Sequence, residues 1–286
     1  MTLTVTFWGT RGSIPTPGPG TLRYGGNTPC VSVTSSAGRQ LVLDAGTGIR
    51  ALGSALERQG GAVSVEILLS HTHWDHIQGL PFFAPLFDPM ASVRIAGPAQ
   101  AEGSLSRVLA AQMDSSVFPV QLTALRAKLA VTEITPGPVE VSGFEVTSVL
   151  LSHPAPTLGY RIGETAASPA VAYITDNELA DRAGGSGRKP LVRFLQDVSF
   201  LIHDAMYFDA QLSKRQGWGH SSAEEAVMLA SEAGCRTLAL FHHDPEHDDA
   251  AVDRLLDEAR ACAARLGASL EIIAAAETTP VSVGGD

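Results

Sequence analysis

Short apolar and β-branched runs recur along this chain, and most of them end in a polar residue able to bind a metal ion. Val63 to Ser70 reads as a buried strand and runs directly into His71-Thr72-His73-Trp74-Asp75-His76. Gln40-Leu41-Val42-Leu43 ends in Asp44-Ala45-Gly46-Thr47-Gly48, which opens a helix near 47–58 that closes at Gly60-Gly61. Phe144 to Leu151 ends in Ser152-His153, Ala170 to Thr175 in Asp176, Val198 to Ile202 in His203-Asp204, and Thr237 to Phe241 in His242-His243-Asp244. Met1 to Trp8 reads as a first strand. Near the C-terminus, Ser222-Ala223-Glu224-Glu225 is a capping box that starts a helix closed by Gly234. Asp248 or Asp249 caps a second helix, with Val252, Leu255, Leu256 and Ala259 on one face, Gly267 after its end, and its acids and arginines on a solvated face. Residues 84–135 carry the weakest pattern and read as helical pieces around a loop at 113–120 near the site. Loops around 15–27 and 181–190 are rich in Gly and Pro and read as mobile or turn-forming. No linker or internal repeat is visible, so a single α/β domain over 1–286 is expected.

The densest chemistry is the stretch from His71 to His76. On an extended chain His71 and His73 point to the same side and can reach one cation. Asp75 and His76 follow after the chain begins to turn and can serve a second. Imidazole nitrogen with carboxylate oxygen suits zinc, with manganese or iron as alternatives.

Composition narrows the setting. A chain of 286 residues with 44% hydrophobic residues can bury a large core. No apolar run approaches a bilayer span of roughly 18 residues, and the first residues lack a basic and apolar leader. Cys30, Cys235 and Cys262 stand far apart in no ligand spacing, which fits ordinary thiols in a reducing cytoplasm. The net charge of −10 disfavours nucleic acid as a partner, because phosphate binding wants basic surface. It weighs less against a small phosphate ester.

The motifs resemble those of the metallo-β-lactamase fold hydrolases, and specifically the phosphodiesterase branch that includes ribonuclease Z and the cyclic-nucleotide phosphodiesterases. Phe7-Trp8-Gly9-Thr10 and Leu43-Asp44-Ala45-Gly46-Thr47-Gly48 look like the family's first landmarks, and His71 to His76 like its signature. Tyr173-Ile174-Thr175-Asp176 matches the place of a bridging aspartate, and Leu240-Phe241-His242 that of the last ligand. Leu201 to Tyr207 resembles a ribonuclease Z segment, and Gly219-His220-Ser221-Ser222-Ala223 resembles a His-Ser-Thr-Ala motif with Ser222 in place of Thr. The resemblance covers nearly the whole chain. It implies an αββα four-layer sandwich, two packed mixed sheets with helices outside and metals in a cleft at one edge. It also implies a sorting of ligands: His71, His73 and His153 for a first divalent ion, Asp75, His76 and His242 for a second, and Asp176 bridging both. Two such ions about 3.5–4 Å apart would activate a shared water and clamp phosphoryl oxygens. His220 stands outside these seven as a general acid for the leaving group or a stabiliser of developing charge. Asp75 is counted with it among the catalytic residues.

Other residues carry open alternatives. Asp44 either orients a ligand loop, the preferred reading, or binds metal. His203 and Asp204 read as a supporting pair, and His243 competes with the preferred His242. His247 reads as a surface histidine. Arg11, Ser13, Asn27 and Thr28 either contact substrate or serve plain turns. Trp74 either walls the pocket or packs into the core.

Only 22 residues separate His153 from Asp176, a span filled by two strands and a turn at Gly163-Glu164-Thr165. Ribonuclease Z carries an RNA-gripping arm between the matching landmarks, and none fits here. A compact diester such as 3′,5′-cAMP, a 2′,3′-cyclic nucleotide or a cyclic sugar phosphate is therefore the expected substrate. The alternatives are ribonuclease Z-like cleavage of RNA, hydrolysis of a sulfate ester or lactone, and a nucleotide-binding module without turnover. Relatives are often dimers, so a homodimer is an open expectation.

Overall fold

The strand alternation read from the sequence becomes burial in the computed structural model, which describes residues 2–100, 103–165, 168–179 and 188–284. In β1 (Leu3–Gly9), Leu3, Val5 and Phe7 are buried while the residues between them are only half-buried. The first half continues with β2 (Cys30–Thr34), β3 (Gln40–Leu43), β4 (Ser64–Leu68), β5 (Ser92–Pro98) and β6 (Lys128–Ile134). The second half holds β7 (Gly137–Val141), β8 (Phe144–Leu150), β9 (Leu158–Gly163), β10 (Val171–Ile174), β11 (Phe200–Asp204), β12 (Thr237–Phe241) and β13 (Glu271–Ala274). A last strand, β14 (Pro280–Val283), returns to the first sheet and pairs with β1.

Two seven-stranded mixed sheets result, ordered β14-β1-β2-β3-β4-β5-β6 and β7-β8-β9-β10-β11-β12-β13. Both follow one pairing rule. The first three pairings, up to β3 in one sheet and β10 in the other, are antiparallel, and the three that follow are parallel. The architecture therefore repeats although the sequence shows no repeat, because pairing order can be duplicated while side chains diverge.

Apolar faces of the two sheets meet in a central core that includes Phe7, Leu41, Val146, Tyr160, Ile202 and Phe241. Outside the first sheet, α1 (Ile49–Gln59) sets Ile49, Leu52 and Leu56 against Val42, Val65 and Ile67. The short α2 (Trp74–Ile77) follows β4, and α3 (Leu105–Ala111) adds Leu105 and Leu109 to the same layer. Outside the second sheet lie α4 (Arg188–Phe194), α5 (Ala223–Ala233) and α6 (Asp249–Leu266), covering Ala172, Leu201, Leu238 and Leu240. This is the expected αββα sandwich.

The predicted caps form. Ser222 Oγ accepts from Glu225 N at 3.2 Å while Glu225 Oε2 accepts from Ser222 N at 3.1 Å, and Gly234 closes α5 in the left-handed conformation. Asp248, not Asp249, caps α6 by accepting from Ala251 N at 2.7 Å. Its neighbour has another task, which corrects the reading of that face as merely solvated. Asp249 accepts from the backbone N–H of Arg23 and Tyr24, and Asp253 pairs with Arg23 and Tyr24 Oη, so α6 anchors the 15–27 loop. The other Gly-rich loop, at 181–190, lies outside the described residues up to 187.

Residues 84–135 depart most from expectation, because they contribute β5 and β6 as well as α3. Arg94 interrupts the apolar run of β5, yet it sits directly opposite Glu66 in β4 and pairs with it at 2.9 Å. Among the described residues no helix is long and apolar enough to cross a membrane.

Candidate metal centre

Parallel strands deliver the polar residues to one edge of the sandwich. His71 and His73 leave the end of β4, and His73 is the residue before α2, so Asp75 and His76 fall in the first helical turn. His153 follows β8, Asp176 follows β10 and His242 follows β12. Asp176 and His242 take positive φ values of 47° and 60°, a left-handed backbone that turns each side chain out of its sheet into the cleft. Asp44 does the same after β3 at 60°. Asp44 and Asp176 thus occupy equivalent places in the repeated topology, each after the strand where antiparallel pairing gives way to parallel.

The donors converge in two sets. One ligand atom each from His71, His73, His153 and Asp176 lies within 4.8 Å of the others, and the same holds for Asp75, His76 and His242. Asp176 divides its oxygens between the sets. Oδ2 lies 3.7 Å from His71 Nε2 and 3.8 Å from His153 Nε2, whereas Oδ1 lies 3.1 Å from His76 Nε2 and 3.3 Å from His242 Nε2. Asp75 Oδ2 stands 3.3 Å from His76 Nε2 and 3.2 Å from His242 Nε2. Every residue singled out as a ligand in the sequence is therefore brought to this place.

The chemistry of the donors fits divalent cations. His71 Nε2 is buried and makes no hydrogen bond, a costly arrangement that a coordinated ion would relieve. Burial pushes the His153 imidazole down to about 4 and the His71 imidazole well below its ordinary range, which keeps both in the neutral form that ligates. Burial also disfavours charge on His76, but the carboxylates of Asp75, Asp176 and Asp44 overcome it and hold the ring well above the usual histidine range. In the ion-free protein an imidazolium thus offsets the clustered acids.

Supporting contacts aim these side chains. Asp44 is fully committed: it accepts from Ser70 N at 2.7 Å, Ser70 Oγ at 2.8 Å and Tyr173 Oη at 2.7 Å, and it meets His76 Nδ1 at 2.7 Å. It orients His76 from behind, with both of its oxygens engaged by the protein. Tyr160, also from the second sheet, donates to Leu69 O at 2.6 Å and pins the end of β4. Gly12 is required where it stands, since a Cβ there would lie 2.5 Å from the His242 ring. His243 turns away and meets Ala275 O at 3.0 Å, which leaves His242 as the histidine in the cleft.

His220 packs beside the cluster, its ring stacked on that of His242 at 5.0 Å between centroids. Its Nδ1 is 2.6 Å from Asp204 Oδ2. Asp204, His220, His242 and Asp176 also form a group of ligand-type atoms, but that short contact commits Asp204 to the imidazole. Burial lowers the His220 imidazolium, while Asp204, and behind it Asp176 and Asp75, raise it to about 9. His203 lies behind, its Nδ1 2.6 Å from Asp204 O.

Several open alternatives narrow, and the reading of His247 is corrected. Arg11 contacts no cleft: it is fully buried and donates to Gly25 O at 2.7 Å, Asp244 O at 3.3 Å and His247 O at 2.5 Å, clamping two loops together. Asn27 donates through N and Nδ2 to Glu277, and buried Thr28 exchanges hydrogen bonds with Thr47, so both brace turns. Ser13 does reach the centre, but through its backbone, whose N–H donates to Asp75 Oδ2 at 2.8 Å. His247 is buried against Phe208 instead of lying at the surface. Trp74 is 68% exposed, which removes it from the core.

Sequence reasoning missed Glu178. This buried carboxylate accepts from Gly217 N and Gly219 N at 3.0 Å, and the carbonyl of Gly219 meets His153 Nδ1 at 3.1 Å. Gly219 has φ +86°, and a Cβ there would lie 2.0 Å from His153 Nδ1. The only hint was the polar run Asp176-Asn177-Glu178 after an apolar strand. Glu178→Ala is expected to weaken binding of one of two ions about ten- to a hundred-fold, read by calorimetric metal titration. Unchanged affinity for both ions would remove Glu178 from the support of His153.

With the cleft described, its likeness to known proteins can be placed. Ribonuclease Z of Haloarcula marismortui is 25% identical over 304 residues, covering 91% of this chain and 92% of that protein. The metallo-beta-lactamase fold protein YhfI from Bacillus subtilis superposes with a TM-score of 0.71 at 19% identity, covering 99% of this chain and 100% of that one. Unliganded yeast PDE1 gives a TM-score of 0.69 at 18% identity over 98% and 99% of the two chains. The beta-lactamase superfamily domain matches residues 39–243, well over half of the chain. The chain belongs to the beta-lactamase superfamily.

Proposed function

We propose that this chain is a metal-dependent phosphodiesterase that hydrolyses a small, cyclic nucleotide-type diester. His71, His73 and His153 would hold one divalent ion and Asp75, His76 and His242 a second, with Asp176 shared. The observation that carries this reading is the divided carboxylate of Asp176, one oxygen facing each set of nitrogens. Zinc is the first choice for imidazole and carboxylate donors, with manganese or iron as alternatives. When bound, a pair of such ions lowers the pKa of a water and draws charge from phosphoryl oxygens.

The chain's own residues supply the remainder. Asp204 Oδ2 accepts a hydrogen bond from His220 Nδ1–H and leaves Nε2–H as the group that can pass a proton to a departing alkoxide. The Asp204 carboxylate favours the protonated form of that ring. Ser13 N fixes the carboxylate of Asp75, and the Gly219 carbonyl fixes the ring of His153. Between His153 and Asp176 the described residues hold only β9, β10 and their turns, which supports a compact substrate.

A second reading, cleavage of RNA, is favoured by the likeness to ribonuclease Z across most of both chains. One panel tests both. The zinc- or manganese-loaded protein is offered 3′,5′-cAMP, 3′,5′-cGMP, 2′,3′-cyclic nucleotides, an aryl phosphodiester, an aryl sulfate and a precursor tRNA. Fastest turnover is expected on a cyclic nucleotide. Turnover of precursor tRNA alone would establish the second reading, and turnover of the sulfate alone would overturn both.

A further inference from the structure

An aromatic shelf adjoins the His220 side of the centre and takes no part in holding it. The ring of Tyr207 packs edge-on to His220, with centroids 5.9 Å apart and planes at 89°. The guanidinium of Arg215 lies 5.1 Å from the Tyr207 ring centre and 4.8 Å from that of Trp218. Trp218 N donates to Arg215 O at 3.2 Å and closes the turn between them. Trp218 is therefore linked to His220 through the Arg215 guanidinium and the Tyr207 ring, and it stands only two residues before it in the chain.

Three features set this shelf apart from scattered surface aromatics. Trp218 is 55% exposed on a backbone anchored by Glu178 through its flanking glycine amides, so the indole is left largely uncovered. Arg215 forms no ion pair among the described residues, in a chain whose net charge is −10. Finally, the shelf adjoins the residue placed to protonate a leaving group. An exposed indole with a guanidinium over it offers stacking and cation–π attraction to planar, electron-rich rings. Chain connectivity keeps the Cα atoms of Trp218 and His220 within about 7 Å, a reach comparable to that from phosphate to base in one nucleotide.

We propose that the Arg215–Trp218 shelf is a nucleobase subsite: the heteroaromatic ring of a mononucleotide lies against Trp218 and Arg215 while its phosphate reaches the histidine cluster. This rests on the phosphodiesterase reading for the identity of the phosphate site, but not for its test.

The test is equilibrium binding to the zinc-loaded protein of adenosine and guanosine 5′-monophosphate against ribose 5-phosphate. Trp218→Ala is expected to weaken nucleotide binding about five- to a hundred-fold, the range of base–aromatic stacking, and to leave ribose 5-phosphate within about two-fold. Trp218→Phe should recover most of the loss, and Arg215→Ala should show the same selectivity for the base. Equal affinity of the wild type for nucleotide and ribose 5-phosphate would overturn the shelf, as would equal loss of both ligands in Trp218→Ala. The two readings fail separately. A protein that hydrolyses diesters with no dependence on Trp218 loses only the shelf. One that binds nucleotide through Trp218 and cleaves no diester keeps the shelf and loses the activity.

Discussion

Asp176→Asn is expected to bind fewer than two ions per chain and to lose at least about a thousand-fold in kcat/KM, roughly 4 kcal/mol of transition-state stabilisation. The residue is 2% exposed, and its two oxygens face separate sets of histidines. Asparagine keeps the shape but removes the negative charge and presents an amide N–H₂ to one set, where a donor meets the cation it should be attracting. Only Asp75 would then remain as a charged donor between the sets. The buried imidazoles around position 176 would also lose the anion that favours their charged forms, which compounds the effect on the ion-free fold. Metal content by atomic emission, together with turnover of the best panel substrate, checks the result. A variant that keeps two ions and turns over within ten-fold of wild type would sink the shared role of Asp176.

His220→Ala separates proton transfer from metal binding. It is expected to keep two ions per chain and lose about 10²- to 10⁴-fold in kcat, the usual contribution of a positioned acid. Nearly full turnover in this variant would remove His220 from the mechanism. The same ring also gives a signature in the ion-free protein. Its folded pKa of about 9 lies above the unfolded value of about 6.5. A raised pKa contributes stability that is fully present below about pH 6.5 and is lost as pH rises through about 9. The gap in denaturation midpoint between wild type and His220→Ala should therefore be widest in acid and close across that interval. A gap that widens toward alkaline pH would contradict the Asp204 pairing.

The legible parts of this molecule are those encoded by neighbours in sequence. Four donors in six residues after a strand announce a cation site without knowledge of the fold, and the caps of α5 and α6 are local side-chain contacts. Asp176 and His242 needed the resemblance, because a single polar residue after a strand is also what any turn requires. The role of Arg11 stayed open for the same reason. An arginine on a Gly-rich loop suits a substrate contact or a turn equally until its hydrogen bonds to Asp244 and His247, more than 230 positions away, come into view. Glu178 depends on two glycine amides about 40 positions downstream. β6 escaped notice because an edge strand has only one pairing partner and need not be strongly apolar, and its residues are at most half-buried.

The repeated topology divides the candidate ligands as well as the strands. His71, His73, Asp75 and His76 come from the first half and His153, Asp176 and His242 from the second, so neither half can complete either set alone. Bound ions would then act as rivets between the halves. Because a ligand stabilises only the states that bind it, free metal would raise the cost of any opening that parts the two sheets at that edge. It would leave opening within a single half almost untouched. Chelation, in that light, leaves the halves joined by apolar contact and by hydrogen bonds such as those from Tyr173 to Asp44, Tyr160 to Leu69 and Arg11 to His247.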